Sequence, residues 1–226
     1  VTESSPSLPW YSGPTLLELL DQVEIEPDVD AGARVRVQTI LRTTEFRGYA
    51  GVLSSGSLRP GDELKVSATG QTAVVTRLLA LKGEEPVELD GAVPGQSVAV
   101  ELDRDIDITR GDLLSAVADA PEPANRFSAD VVWLSEEPLA HGRSYILRSG
   151  PLEVPSGSEL ASRSLGINDI GRVELATNNA VTFDPYTRCH DTGGFILCDR
   201  VTGETVAAGL TRFALRRSTN VTEHIF

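Results

Sequence analysis

Methionine is absent from all 226 residues, and of 20 basic side chains only Lys65 and Lys82 are lysines. Aromatic residues make up 5% of the chain and cysteine occurs twice. No apolar run approaches the roughly 18 residues that a helical membrane span needs, so no membrane segment is expected. Residues 1–7, VTESSPS, carry neither the basic nor the apolar region of a secretory signal. Missing too are GxxxxGK[ST], GxSxG, HExxH and GxGxxG, which excludes a P-loop, a nucleophile elbow, a zincin site and a dinucleotide fingerprint. The one DxxG pattern, Asp191-Thr192-Gly193-Gly194, lies just before an apolar strand pattern and reads as turn chemistry.

Positive charge is also scarce. The net charge is −13, and residues 1–30 contain seven acids with no Lys or Arg. Residues 31–120 and 121–226 each hold 13 acids against 10 bases. A chain without a basic stripe is poorly suited to phosphate backbones, so nucleic acid is not an expected partner. Cys189 and Cys198 could be bridged on geometric grounds, but nothing points to secretion. They read as reduced thiols of a cytoplasmic protein. Cys189-His190 with Cys198 is a weak hint of a metal site, since no second CxxC or HxxxH completes a ligand set.

What is present is mostly strand. Residues 45–64, EFRGYAGVLSSGSLRPGDEL, alternate in polarity and then turn at Arg59-Pro60-Gly61-Asp62. There Pro60 presets φ, and Gly61 supplies the positive φ of a type II turn. Thr109-Arg110-Gly111-Asp112 echoes that turn. Strands are expected at 34–41, 49–53, 63–67, 72–81, 98–102 and 112–115, the first with Val35, Val37 and Ile40-Leu41 inward. After a Pro-broken linker at 118–124, further strands are expected at 127–134, 143–149, 172–177, 194–199 and 205–215. A short helical piece is expected at 158–165. One helix is expected within residues 8–23, with Pro14 in its first turn and a capping box from Thr15 and Glu18. Leu16, Leu19, Leu20 and Val23 would share one face, and that face must bury against something. Trp10 and Tyr11 read as packing anchors.

The resulting fold class is all-β: two consecutive antiparallel barrels behind one short helix. The domain reading is 1–30 for helix and linker, 31–118 for the first barrel and 119–226 for the second. Glu136-Glu137 reads as a solvated loop because adjacent strand residues face opposite ways. A His-centred site using His141, His190 or His224 has no supporting pattern. On residues alone the chain binds a protein or positions another domain.

Several ordered segments carry a resemblance: PWYSGPTLLE (9–18), FRGYAG (46–51), SGSLRPGDEL (55–64), DIDITRGD (105–112), VWLSEEPL (132–139), INDIG (167–171), FDPY (183–186), DTGGFILCDR (191–200) and FALRRSTN (213–220). Together they resemble the large subunit of the heterodimeric bacterial sulfate adenylyltransferase, built like elongation factor Tu with a GTP-binding domain followed by two barrels. The resemblance implies that residues 8–23 are the tail of a GTPase domain that is otherwise missing, and that the barrels are domains two and three. It implies coupling of GTP hydrolysis to synthesis of adenosine 5′-phosphosulfate from ATP and sulfate. The partners implied are an upstream GTPase domain and a small catalytic subunit. No catalytic, nucleotide-binding or metal residue carries over, so no cofactor is expected on this chain; GTP and Mg would belong to the GTPase domain.

Two departures stand out. The family has a longer segment between Val154-Pro155 and Ser158-Glu159, which leaves open whether the second barrel lacks part of a strand. Leu8 and Leu134 stand where Met is common. The partner-interface candidates are Arg47 and Tyr49 at the first corner, with Asp191, Arg216 and Arg217 at the other end. The competing reading is a stand-alone interaction module of elongation-factor-like barrels unrelated to sulfate activation. A translation-factor fragment that contacts aminoacyl-tRNA is disfavoured by the charge.

Overall fold

A computed structural model of the chain describes residues 10–23, 31–42, 46–82, 85–139, 143–161 and 164–215. It contains two closed antiparallel barrels. The first is formed by β1 (Arg34–Arg42), β2 (Arg47–Ser55), β3 (Glu63–Val66), β4 (Thr72–Lys82), β6 (Ser97–Leu102) and β7 (Leu113–Ala116), with β5 (Glu85–Glu88) added to β4. The order β3-β7-β1-β2-β6-β4 closes through β3–β4 pairing. The second barrel runs β10 (Leu152–Ala161), β11 (Ile170–Val181), β8 (Ala124–Trp133), β13 (Thr205–Ala214), β12 (Gly194–Asp199) and β9 (Ser144–Ser149). A 3-10 turn, Val117–Asp119, joins the two.

Period-two alternation accounts for both interiors. In β1 Val35 and Val37 are fully buried, and a bulge between Val37 and Thr39 shifts the register. That shift leaves Leu41 at the surface instead of inside, against the sequence expectation. The first interior is aliphatic, with Leu53, Leu58, Leu64, Leu78, Val100 and Leu114 around the single ring of Tyr49. The second is aromatic. Trp133 meets Tyr145 edge-on at 5.7 Å, and Phe127 lies 4.8 Å from Phe183 and 6.0 Å from Phe195. Gly209 exists for that packing, since a Cβ there would stand 2.1 Å from the Phe195 ring.

The two echoing turns are one device. Asp62 N–H donates to Arg59 O at 3.1 Å and its carboxylate accepts from Arg59 N–H at 2.7 Å. Asp112 repeats this with Thr109 at 3.2 and 2.7 Å. Gly61 and Gly111 both sit at φ +96°. Gln96 closes a third such turn on Val93, and Asp169 a fourth on Gly166, with Asn168 at φ 65° in the glycine position.

Three expectations need correction. The described part of the helix expected at 158–165 is not helical: β10 continues as strand to Ala161, paired with β11 from Ser156↔Thr177 to Ala161↔Val173, and residues 162–163 lie outside the described residues. Pairing with its neighbours overrides local preference there. The same strand is continuous through Val154–Ser158, so the barrel closes despite the shortened segment. Pro155 lies where β10 pairs only with β9, so its missing N–H costs the ladder nothing on the other side. The helix α1 (Leu16–Gln22) has the capping box, Thr15 N–H donating to Glu18 and Glu18 N–H to Thr15 Oγ1. Pro14, however, precedes the cap instead of entering the first turn. The apolar face of α1 is exposed along its length, as are Trp10 and Tyr11.

Candidate functional site: the seam between the barrels and the first corner

Strand β1 serves both barrels. Its valines point into the first interior, so Arg34 and Arg36 point outward. Outward is still inward for the molecule, because the second barrel covers them. Arg34 is 0% exposed. Its Nε and Nη2 donate to the two carboxylate oxygens of Asp184 at 3.0 and 3.1 Å, a bidentate fork. Nη2 also reaches the carbonyl oxygen of Asp119 at 2.6 Å and its carboxylate at 3.1 Å. Asp184, itself buried, accepts a further bond from Thr192 Oγ1 at 2.8 Å. Asp119 receives Gly32 N–H at 2.8 Å and pairs with Arg188 of the second barrel.

Electrostatics separate the two arginines. Burial pushes the Arg34 guanidinium down, but the bonds and charge of Asp184, with Asp119 behind, outweigh it and hold the group above its ordinary range. Arg36 has no carboxylate in contact. It donates to Gly111 O at 3.2 Å and to Thr182 O at 3.1 Å, while its Nε has no partner. Burial therefore dominates and brings it down to about 10, only partly offset by Asp184, Cys189 and Asp112. For Asp119 burial pushes the carboxyl up, yet Gly32 N–H and Arg188 more than compensate and hold it low.

The turn carrying Asp184 is shaped to receive this fork. Thr211 Oγ1 donates to Asp184 O at 2.6 Å and to Gly193 O at 2.9 Å. A Cβ at Gly193 would lie 2.5 Å from Tyr186 Cα, so the four-residue helix α2 (His190–Gly193) can approach that turn only with glycine there. The DxxG pattern is thus spent on positioning Asp184. Sequence reasoning missed Arg34, Arg36, Asp119, Asp184 and Arg188. The available signal was the RVRV alternation of residues 34–37, within the strand expected at 34–41 with its valines inward.

The expected interface residues are scattered. Arg47 is partly exposed and bonds Asp105 at 2.6 Å across the first corner. Tyr49 is not a surface contact: its ring is buried and its hydroxyl donates to Ile106 O at 3.3 Å. It shares strand parity with Leu53 and so faces inward, with the Arg47 guanidinium lying 5.7 Å above its ring. Asp191 is exposed on α2. Arg216 and Arg217 fall outside the described residues. Cys189 and Cys198 are both free and buried, and His190 leans on Tyr186 at 4.5 Å. Among the described residues no group of three His, Cys, Asp or Glu converges as a metal site, and no helix is long and apolar enough to cross a membrane.

Comparison with known proteins fits this architecture domain by domain. Residues 49–115 match the family model for elongation factor Tu domain 2, and residues 151–212 that for the GTP-eEF1A C-terminal domain-like family. The structure of Sup35 complexed with GDP superposes with a TM-score of 0.74 at 22% identity, covering 92% of this chain and 54% of that one; this is likeness of fold. Sulfate adenylyltransferase subunit 1 of Vibrio cholerae serotype O1 is 38% identical over 238 residues, 99% of this chain and 49% of its own length. That of Aeromonas hydrophila is 40% identical over 225 residues, covering 93% and 46%. The bifunctional enzyme NodQ of Rhizobium sp. strain N33 is 38% identical over 98% of this chain and 36% of its own length. The chain therefore spans about half the length of these sulfate adenylyltransferase relatives or less. The match runs through both barrels, so the chain is a homologue of the sulfate adenylyltransferase large subunit over that length, and each barrel matches an elongation-factor domain model.

Proposed function

We propose that the chain is the two-barrel part of a sulfate adenylyltransferase large subunit. It holds a GTPase domain and a small catalytic subunit in fixed relation, so that GTP hydrolysis in one is coupled to formation of adenosine 5′-phosphosulfate in the other. The observation that carries this reading is the 38% identity to subunit 1 over 99% of the chain. The seam supports the scaffold role. A bidentate arginine fork buried between two barrels resists their rotation, as a part that transmits domain position must.

The chain's own residues do not fit a nucleotide site. There is no P-loop pattern, and the Asp191–Gly194 stretch is occupied in shaping the turn beneath Asp184. GTP and Mg are accordingly assigned to the GTPase domain and adenylyl transfer to the small subunit. The protein acts in the cytoplasm. Arg47 and Asp191, both accessible, are assigned to partner contacts.

The test is size-exclusion chromatography of the chain with the small subunit, alongside nucleotide titration of the chain alone. Co-elution and no GTP binding are expected. Micromolar GTP affinity in the isolated chain overturns the assignment of nucleotide binding. Failure to co-elute favours an interaction module outside sulfate activation.

A further inference from the structure

Three residues decide how the chain enters the barrel pair. Ala31, Gly32 and Ala33 stand directly before β1, and both alanines are buried. Gly32 is held through both of its backbone polar groups. Its N–H donates to Asp119 Oδ2 at 2.8 Å, and its carbonyl accepts from Ser55 Oγ at 2.9 Å and from Arg34 Nη1 at 3.4 Å. The backbone is also closely packed. A Cβ at Gly32 would stand 3.0 Å from Ala116 Cβ and 3.3 Å from Asp119 Cβ, and one at Gly56 only 2.5 Å from Ala33 N. The entry therefore cannot slide without disturbing the joint between the barrels.

Asp119 is where this entry meets both barrels. It belongs to the 3-10 turn that joins them. Its Oδ2 takes Gly32 N–H and Arg34 Nη2, and its Oδ1 takes Arg188 of the second barrel. One carboxylate thus ties the entering chain, β1, the joint and the second barrel together. It is not what holds the barrels to each other. The side chains of Arg34 and Asp184 are 0% and 1% exposed, against 28% for Asp119 and 42% for Arg188. A half-exposed pair contributes little to stability, and the buried fork stands without it. The bonds of Asp119 add direction, not adhesion.

From this convergence we propose that Asp119 is a positioning residue, fixing the direction in which the preceding chain leaves the barrel pair. A displacement upstream of Ala31 then reaches both barrels through one carboxylate, and the barrels, locked by the Arg34–Asp184 fork, follow as one body. Its purpose rests on the reading of a GTPase domain upstream: Asp119 is where that domain's position enters the pair.

Two measurements on the whole chain test this in wild type and Asp119→Ala. The first is amide hydrogen exchange of Gly32 by NMR, with Leu53 N–H, bonded to Gln96 O inside the first barrel, as control. Gly32 should exchange at least about 10-fold faster in the variant, with Leu53 unchanged. The second is the distance distribution between spin labels at the exposed sites Gln22→Cys, Ala68→Cys and Val201→Cys; the native cysteines are buried. In Asp119→Ala the Gln22–Val201 distribution should widen while Ala68–Val201, which spans the two barrels, stays as in wild type. Should Asp119→Ala not fold, Arg188→Gln, which removes the half-exposed partner alone, is read the same way, with Gly32 exchange faster by about threefold. Unchanged Gly32 exchange or an unchanged Gln22–Val201 distribution overturns the proposal. Faster exchange at Leu53 as well assigns the effect to general destabilisation, and widening of Ala68–Val201 makes Asp119 a clasp between the barrels; either overturns it too. None of these readings uses nucleotide or the small subunit, so failure of the sulfate adenylyltransferase reading, seen as failure to co-elute, is registered separately.

Discussion

The two barrels close six strands each, one around aliphatic side chains and the other around rings. In the first, Leu and Val fill the interior in small increments, and Leu41, Leu81, Val87 and Val93 remain outside. In the second, Trp133, Tyr145, Phe127 and Phe195 occupy the interior, and Ile170, Leu210 and Phe213 stand on the outer wall. Equal strand number therefore does not mean equal duty. The first barrel supplies the buried cationic outer face of β1 to the seam, while the second receives it and keeps apolar residues on its own outer wall.

This contrast can be broken most forcefully from inside. Trp133→Ala removes a buried ring and the bond from its Nε1 to Glu137 O, 2.8 Å long, and should cost about 4 kcal/mol. Calorimetry should show the chain's single transition, shared through the intact seam, move to lower temperature. Asp184→Ala comes next, at about 3 kcal/mol, because it leaves Arg34 buried with its main partner gone. Its signature is different: the two barrels should uncouple, and one calorimetric transition should become two. Arg36→Met sharpens the point. That guanidinium is already disfavoured by burial and touches no carboxylate, so its replacement should change stability by less than about 1 kcal/mol. A larger loss would show that the carbonyls of Gly111 and Thr182 depend on it.

The matched turns give a smaller and cleaner comparison. Gly61→Ala introduces a Cβ with nothing within 4 Å, so only the positive φ is penalised, by about 1 kcal/mol. Gly111→Ala carries the same backbone penalty and also brings a Cβ to 3.3 Å from Leu152 Cα of the second barrel; about 2 kcal/mol is expected. Equal losses in urea melts would mean that the second barrel yields freely at that point. The smallest effect is with pH. The Asp119 carboxyl is held low in the folded state. Its contribution is complete above the ordinary carboxylate range and lost as pH falls through the folded value. Melting curves taken downward from pH 6 should therefore show a loss on acidification that Asp119→Asn flattens.

Much of the fold was legible because alternation and turn chemistry are local. Asp62 and Asp112 close their turns with side chains three residues on, which a reader of four residues can anticipate. The strand over 152–161 was not, because Gly157-Ser158 says little by itself and the decision is made by β9 and β11. The site was less legible still. Nothing within residues 34–37 distinguishes an arginine facing water from one facing another barrel, since Asp184 lies 150 residues away. Tyr49 was misjudged for a related reason: its neighbour Arg47 suggested a rim, whereas strand parity places the ring inside.

The position of β8 has a consequence for how the chain acquires its shape. β8 opens the second barrel, yet both its partners, β11 and β13, come later, and β13 reaches Ala214. During synthesis Phe127, Val131 and Trp133 must wait through some eighty residues for their last neighbour, with one or both strand edges open. β1 also waits for its last neighbour, β7, but it meets β2 at once across a short hairpin, so only one of its edges stays open. β8 has no partner at all until β11, which makes the second barrel the slower and more aggregation-exposed half of the molecule, and a ribosome-bound chain arrested before Ile170 should be the form that chaperones hold.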